Sequence, residues 1–219
     1  MSKVRQFGET VEGYNIPVLN EREIRATAGI LFLFAFIAIM MAIFKGSFVM
    51  LKYFILGFLL DFIIRLFISP KFSPTLVMGR LIVSRQTPEY VGATQKKFAW
   101  VIGLALAIIM FALIVILNSY SVITGLICLI CLIFLFFESA FGICLGCLTY
   151  GWFYGKKAQY CPGEICDLKN KDDIQKTSFM QLLIVILFIA FIVASVFLFK
   201  DTFSEAPRDL WEILREARG

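Results

Sequence analysis

The sequence predicts an all-α integral membrane protein: a bundle of about five transmembrane helices with one or two interfacial helices. Three observations predict it. Of 219 residues, 60% are apolar and 17% charged, against roughly 45–50% and about 25% in soluble chains. The apolar residues fall in long uncharged runs at 26–44, 98–117 and 179–199, each close to the ~20 residues a helix needs to cross a ~30 Å hydrocarbon core. Lipid offers the backbone no hydrogen-bond partners, so spans must be helices or closed barrels, and the alternation of a barrel strand is absent.

The elements follow in order. Residues 1–25 form a polar, cytoplasmic lead-in without the apolar core of a cleavable signal peptide. Asn20 reads as an N-cap, with Glu23 reaching back in a capping box. The first span runs to Phe44 and turns at Lys45-Gly46-Ser47. The second, about 48–68, carries Lys52, Asp61 and Arg65 and stops at Ser69-Pro70, where proline blocks continuation. In the connector 71–97, Leu76, Val77, Leu81 and Ile82 interleave with Arg80 and Arg85 at helical spacing, which predicts a short helix lying on the membrane. The third span is 98–117. The fourth apolar stretch, from Val122 to about Tyr154, holds one charge, Glu138; it is long enough that it tilts, projects or breaks near Gly142 or Gly146. A cytoplasmic loop, 155–177, precedes the fifth span and an amphipathic tail, 178–219, with Leu210, Trp211, Ile213 and Leu214 on one side.

Lysine and arginine set the orientation. With the N-terminus cytoplasmic, the inside segments carry 4, 6 and 5 of these residues, and the outside segments 2, 0 and 4. That bias favours N-in with five spans. The net charge of +5 serves topology and calls for no nucleic-acid partner.

Histidine is absent, which removes His-ligated haem, His-containing zinc sites and every Ser-His or Cys-His dyad. Six cysteines remain, in three pairs. Cys128 and Cys131 lie in a Leu/Ile run and read as packing residues. Cys144 and Cys147 form a CxxC pair at helical spacing, with Gly142 and Gly146 as a small-xxx-small pair that admits a second helix. Cys161 and Cys166 sit in a polar loop, where packing does not explain a cysteine. Together the last four make C-x2-C-x13-C-x4-C, open to thiol chemistry or to a four-thiolate zinc or iron site. A continuous fourth helix would put Cys144 and Cys147 at its C-terminal end, where the macrodipole opposes a thiolate; a break at Gly142 would relieve this. Asp61 and Arg65, four apart, suit an intrahelical ion pair, and Arg65 is expected to bridge Asp61 to Glu138 across helices.

The stretch Glu138-Ser-Ala-Phe-Gly-Ile-Cys-Leu-Gly-Cys-Leu-Thr-Tyr150 resembles the signature of a bacterial membrane family catalogued as domain of unknown function 4395. Asn20–Arg25, Asp61–Arg65 with Ser69–Pro74, and Lys97-Phe98-Ala99 are similar as well, so the likeness spans about 15–155, a four-span core at 26–154. The chain departs at Glu138, where the family usually carries a small polar residue. The 161/166 loop and fifth span look like an extension found in some members. The resemblance implies a bacterial inner membrane and thioredoxin-like or rhodanese-like partners. The expectation is a multi-pass thiol protein handling disulfides or persulfide sulfur through Cys144/Cys147 and Cys161/Cys166. Two alternatives stay open: a scaffold or partner subunit in which Cys144, Cys147, Cys161 and Cys166 hold a structural zinc or iron ion, and a transporter of a small sulfur species or anion.

Overall fold

The computed structural model describes residues 7–147 and 177–217. Its first helix, α1 (Glu21–Lys45), begins at Asn20, whose side chain accepts the Arg22 N–H, and ends at Gly46, held at φ 63°. Only glycine takes that left-handed turn without strain. Helix α2 (Val49–Ile63) returns and widens into a π turn, Ile64–Ile68. Ser69 breaks it and caps a 3-10 turn, Pro70–Phe72; Ser73 then caps α3 (Pro74–Ile82) by accepting the Leu76 N–H. A two-stranded antiparallel pair, β1 (Val18–Asn20) with β2 (Tyr90–Gly92), ties the start of α1 to the start of α4 (Ala93–Met110). Helix α4 runs on through a π turn, Phe111–Ile116. Helix α5 (Val122–Phe136) ends in a third π turn, Phe137–Phe141, and stops at Gly142, φ 68°. Helix α6 (Phe179–Leu198) is followed by α7 (Lys200–Ser204) and α8 (Leu210–Glu216). Between the last two, Arg208–Asp209 pairs in parallel with Ser119–Tyr120 and latches the tail to the α4–α5 turn.

Among the described residues, four helices are long and apolar enough to cross a membrane: Glu21–Lys45, Ala93–Ile116, Val122–Phe141 and Phe179–Leu198. Helix α2 with its π turn supplies the return limb between the first two. Inside, Leu31, Phe58, Phe62, Trp100 and Leu104 form one core cluster, and Ala38, Leu51, Ile55, Met110 and Ile114 another. Outside, Phe34, Ile43, Ile108, Leu126, Ile186, Leu187 and Phe197 point away from the bundle. A water-facing surface of that kind would be an aggregation liability; against lipid it is matched solvent, so the chain is a membrane protein.

Two details of the connector come from the packing. Helix α3, expected to lie on the membrane, has its arginine turned into the bundle. It docks on α1 with Leu76, Val77 and Arg80 buried, and Met78, Leu81 and Ile82 outward. The close approach is made at Gly79, where an added Cβ would lie 2.3 Å from Thr27 Oγ1 and 2.6 Å from the Glu23 carbonyl. Gly79→Val is therefore expected to lower stability by about 1–3 kcal/mol, read as a lower Tm in detergent. Second, α4 starts at Ala93 rather than 98, because β2 delivers the chain to it at Gly92. Lys96 and Lys97 thus lie within the helix.

Candidate functional site

The starts of α1 and α4, the ends of α2 and α5, and helix α3 carry most of the buried charges; Lys52, at the start of α2, is buried apart from them and donates to the Glu205 carbonyl at 2.7 Å. Within the main group, Asp61 is fully buried. Arg65 Nε donates to Asp61 Oδ2 at 2.7 Å and to Ser73 Oγ at 3.2 Å, and Arg65 Nη2 donates to Thr75 Oγ1 at 2.6 Å. Ser73 Oγ and Thr75 Oγ1 each donate to Asp61 at 2.7 Å, and the Thr75 N–H adds a fourth bond at 3.1 Å. The guanidinium also lies over Phe62, 4.6 Å from the ring centre, and Trp100, 5.1 Å away. The i,i+4 ion pair expected of Asp61 and Arg65 is thus present, locked by the Ser73-Pro74-Thr75 corner.

Beside it, Arg80 donates to both oxygens of Glu23, at 3.0 and 3.1 Å. Glu23 therefore binds α3 instead of closing a capping box: a charge-assisted fork is stronger than one bond to a backbone N–H. Next to that pair, Lys96 Nζ lies 2.7 Å from Glu21 Oε2 and also bonds Glu138. The expected Arg65–Glu138 bridge is replaced by this Glu21–Lys96–Glu138 triad. The reason is geometric: starting α4 at Ala93 brings Lys96 to the end of α5, while Asp61, Ser73 and Thr75 take up Arg65. Glu21, Glu23, Arg80 and Lys96 were missed as site residues because each sits at a boundary that reads as solvated. The visible trace was the charge-dense Asn20–Arg25 cluster set directly against an apolar run.

The CxxC pair lies just past Glu138. Gly142 ends α5, and a new helical turn covers 145–147. Cys144 heads that turn: the Cys147 N–H bonds the Cys144 carbonyl at 2.9 Å and the Cys144 Sγ at 3.3 Å. The break at Gly142 thus takes Cys144 out of α5 and points a backbone donor at the sulfur. The two glycines play different parts. Gly146 packs on Ala99, where an added Cβ would lie 2.6 Å from the alanine Cβ, so it makes the close helix approach; Gly142 lies against the Arg25 guanidinium instead. Both thiols are free. The hydrogen bond with the Cys147 thiol and burial push the Cys144 thiol well above the ordinary range; Lys96 pulls it down and Glu138 pushes it up. Nearby charges therefore bear on how readily Cys144 ionises.

Arg65, Trp100, Glu138 and Cys144 line one cavity of about 70 Å³, otherwise apolar. Arg65 and Glu138 therefore meet at a shared space, not at a shared bond. Cys128 and Cys131 pack against the core between α1, α2 and α4, in keeping with their reading as packing residues. Among the described residues, no group of three or more Cys, Asp or Glu side chains is placed to hold a metal ion. Cys161 and Cys166, which both the loop-pair and the four-thiolate readings need, lie outside the described residues.

Residues 19–154 match the family model described as Domain of unknown function (DUF4395). The chain belongs to this family. The match takes in α1 to α5, the buried charges around Asp61 and the CxxC pair, and leaves α6 and the tail outside. No curated protein and no solved structure matches the chain.

Proposed function

We propose that this chain is a bacterial inner-membrane thiol protein, N-terminus cytoplasmic, that exchanges disulfides or persulfide sulfur through Cys144 and Cys147. The observation that carries the reading is Cys144 at the head of a fresh helical turn, its sulfur facing the Cys147 N–H and lining a cavity with Glu138. The balance of lysine and arginine supports the orientation. In disulfide exchange, the Cys144 thiolate attacks a partner's disulfide and releases one partner thiolate. Cys147 then attacks Cys144, closing the 144–147 disulfide and releasing the second thiolate. Two electrons pass to the partner, and the two thiol protons end on its sulfurs. The protein class that suits this step is thioredoxin-like for disulfides or rhodanese-like for sulfur, and Cys161 and Cys166 form a second pair for relay.

Removing the resolving thiol tests it. Cys147→Ser is expected to accumulate a mixed disulfide or persulfide on Cys144, seen on non-reducing gels and by intact mass, and Cys144→Ser to trap none. If the Cys147→Ser protein captures nothing in cells while the double serine variant leaves thiol and persulfide levels at wild type, the reading is wrong.

A further inference from the structure

Cys144 stands between two close contacts. Two residues before it, Gly142 lies against Arg25 of α1. A Cβ added to that glycine would be 3.2 Å from Nε, Cζ and Nη1 of the arginine alike, so the guanidinium presents its flat face there. Two residues after it, Gly146 lies on Ala99 of α4. The Arg25 contact belongs to a stripe. Arg25, Gly29 and Phe32 share one face of α1, and they meet Gly142, Ser139 and Phe136 in turn. A Cβ on Gly29 would lie 2.8 Å from Ser139 Oγ, and the ring centres of Phe32 and Phe136 are 5.6 Å apart. The end of α5 is thus laid along α1 in a fixed register, with Arg25 at the break.

Arg25 differs from the arginines around it. Arg22, Arg65 and Arg80 each bond a carboxylate. Arg25 is turned to main chain, its Nη2 lying 3.5 Å from the Ala140 carbonyl oxygen. The last carbonyls of a helix lack partners within it, and a cation placed there is favoured. Just past that point the N–H groups of Gly142 and Ile143 fold back to the Phe137 carbonyl, and Gly142 takes its left-handed turn. Cys144 then starts afresh, with the Cys147 N–H donating to its sulfur at 3.3 Å.

We propose that Arg25 is the positioning residue for Cys144: its guanidinium holds the end of α5 at Gly142, so that the Cys147 N–H meets the Cys144 sulfur. The inference rests on the thiol reading above, in which that sulfur is the attacking atom. Arg25 acts through the backbone at Gly142. A donor aimed at the sulfur favours the thiolate over the thiol, and the thiolate is the species that reacts. Without the guanidinium, α5 is free to unwind or to run on past Gly142, and the sulfur loses its donor.

The test uses the full-length protein in liposomes, reduced, with iodoacetamide as the probe. Peptide mapping follows Cys144, Cys128 and Cys131 separately between about pH 7 and 9. Arg25→Met is expected to slow Cys144 about tenfold at each pH, the size of one lost hydrogen bond to a charged group. Arg25→Lys keeps the charge but not the plane, and is expected to slow it as much. Cys128 and Cys131, packed in the core, are expected to keep their wild-type rates in both. A Cys144 rate in Arg25→Met that equals or exceeds wild type overturns the inference. So does a slow Arg25→Met protein beside an Arg25→Lys protein at the wild-type rate, which leaves charge alone as the cause. An Arg25→Met protein in which Cys128 and Cys131 react faster overturns it too, because Arg25 then braces the whole bundle. The thiol reading survives each of these results. It fails separately, when Cys147→Ser traps nothing in cells, and that failure leaves the alkylation rates as they are.

Discussion

Asp61→Leu is expected to be the most damaging single change in the membrane core, lowering stability by about 3–5 kcal/mol. Asp61 accepts from Arg65, Ser73 and the side chain and backbone of Thr75. Leucine would strand a guanidinium that is 2% exposed, and lipid offers it no water in exchange. Two further variants separate the charge from the geometry. Asp61→Asn keeps acceptor capacity for Ser73 or Thr75 but loses the charge, so it should cost less. Asp61→Leu combined with Arg65→Met removes both charges and should recover much of the loss, because replacing a whole buried pair costs far less than breaking it. Denaturant titration in mixed micelles across this cycle measures the coupling. Equal losses in the single and double variants would mean that the corner at Ser73–Thr75, and not the ion pair, holds α2 to α3.

The second large effect is expected at the Lys96 triad, and it is read at Cys144. Lys96→Met leaves Glu21 and Glu138 facing each other in a buried site, at a stability cost again of about 3–5 kcal/mol. It also removes the cation that draws the Cys144 thiol down. The thiol is then held still higher, and its alkylation at neutral pH slows. Glu138→Gln works in the opposite direction: a carboxylate that pushes the thiol up is gone, Lys96 keeps Glu21, and alkylation speeds up. At neutral pH the expected order is Glu138→Gln fastest, wild type next and Lys96→Met slowest. In all three the rate climbs as pH rises toward the thiol's own range, since only the thiolate reacts. Pulsed alkylation with peptide mapping resolves Cys144 from the other cysteines. An unchanged rate in both variants would show that the triad only braces the helices.

Much of the bundle was legible in the chain. The uncharged runs mark α1, α4 and α6, Asn20 and Gly46 mark both ends of α1, and Ser69-Pro70 marks the end of α2, because each rests on local chemistry: length against the bilayer, a cap, a missing N–H. The Asp61–Arg65 pair was legible for the same reason, being one turn apart on one helix. Partners across helices were not. Glu23 reads as a capping side chain and Arg80 as part of a helix lying on the membrane; nothing within either segment says that they meet. Lys96 read as a flank of the third span, so Glu138 was assigned to the wrong cation.

Sequence alone determined that this protein lives in lipid, which stretches are long and apolar enough to cross it, and that Cys144 and Cys147 stand close together. The bilayer and the helix repeat act on every residue in the same way, so composition and spacing are enough to read them. Tertiary structure alone decided which buried charge answers which. It also decided that the fourth apolar stretch breaks at Gly142, so that Cys144 begins a turn instead of ending a helix. A buried charge settles with whichever partner packing brings within about 3 Å, and that depends on where β1 and β2 pair, how closely Gly79 and Gly146 let helices approach, and where α4 begins.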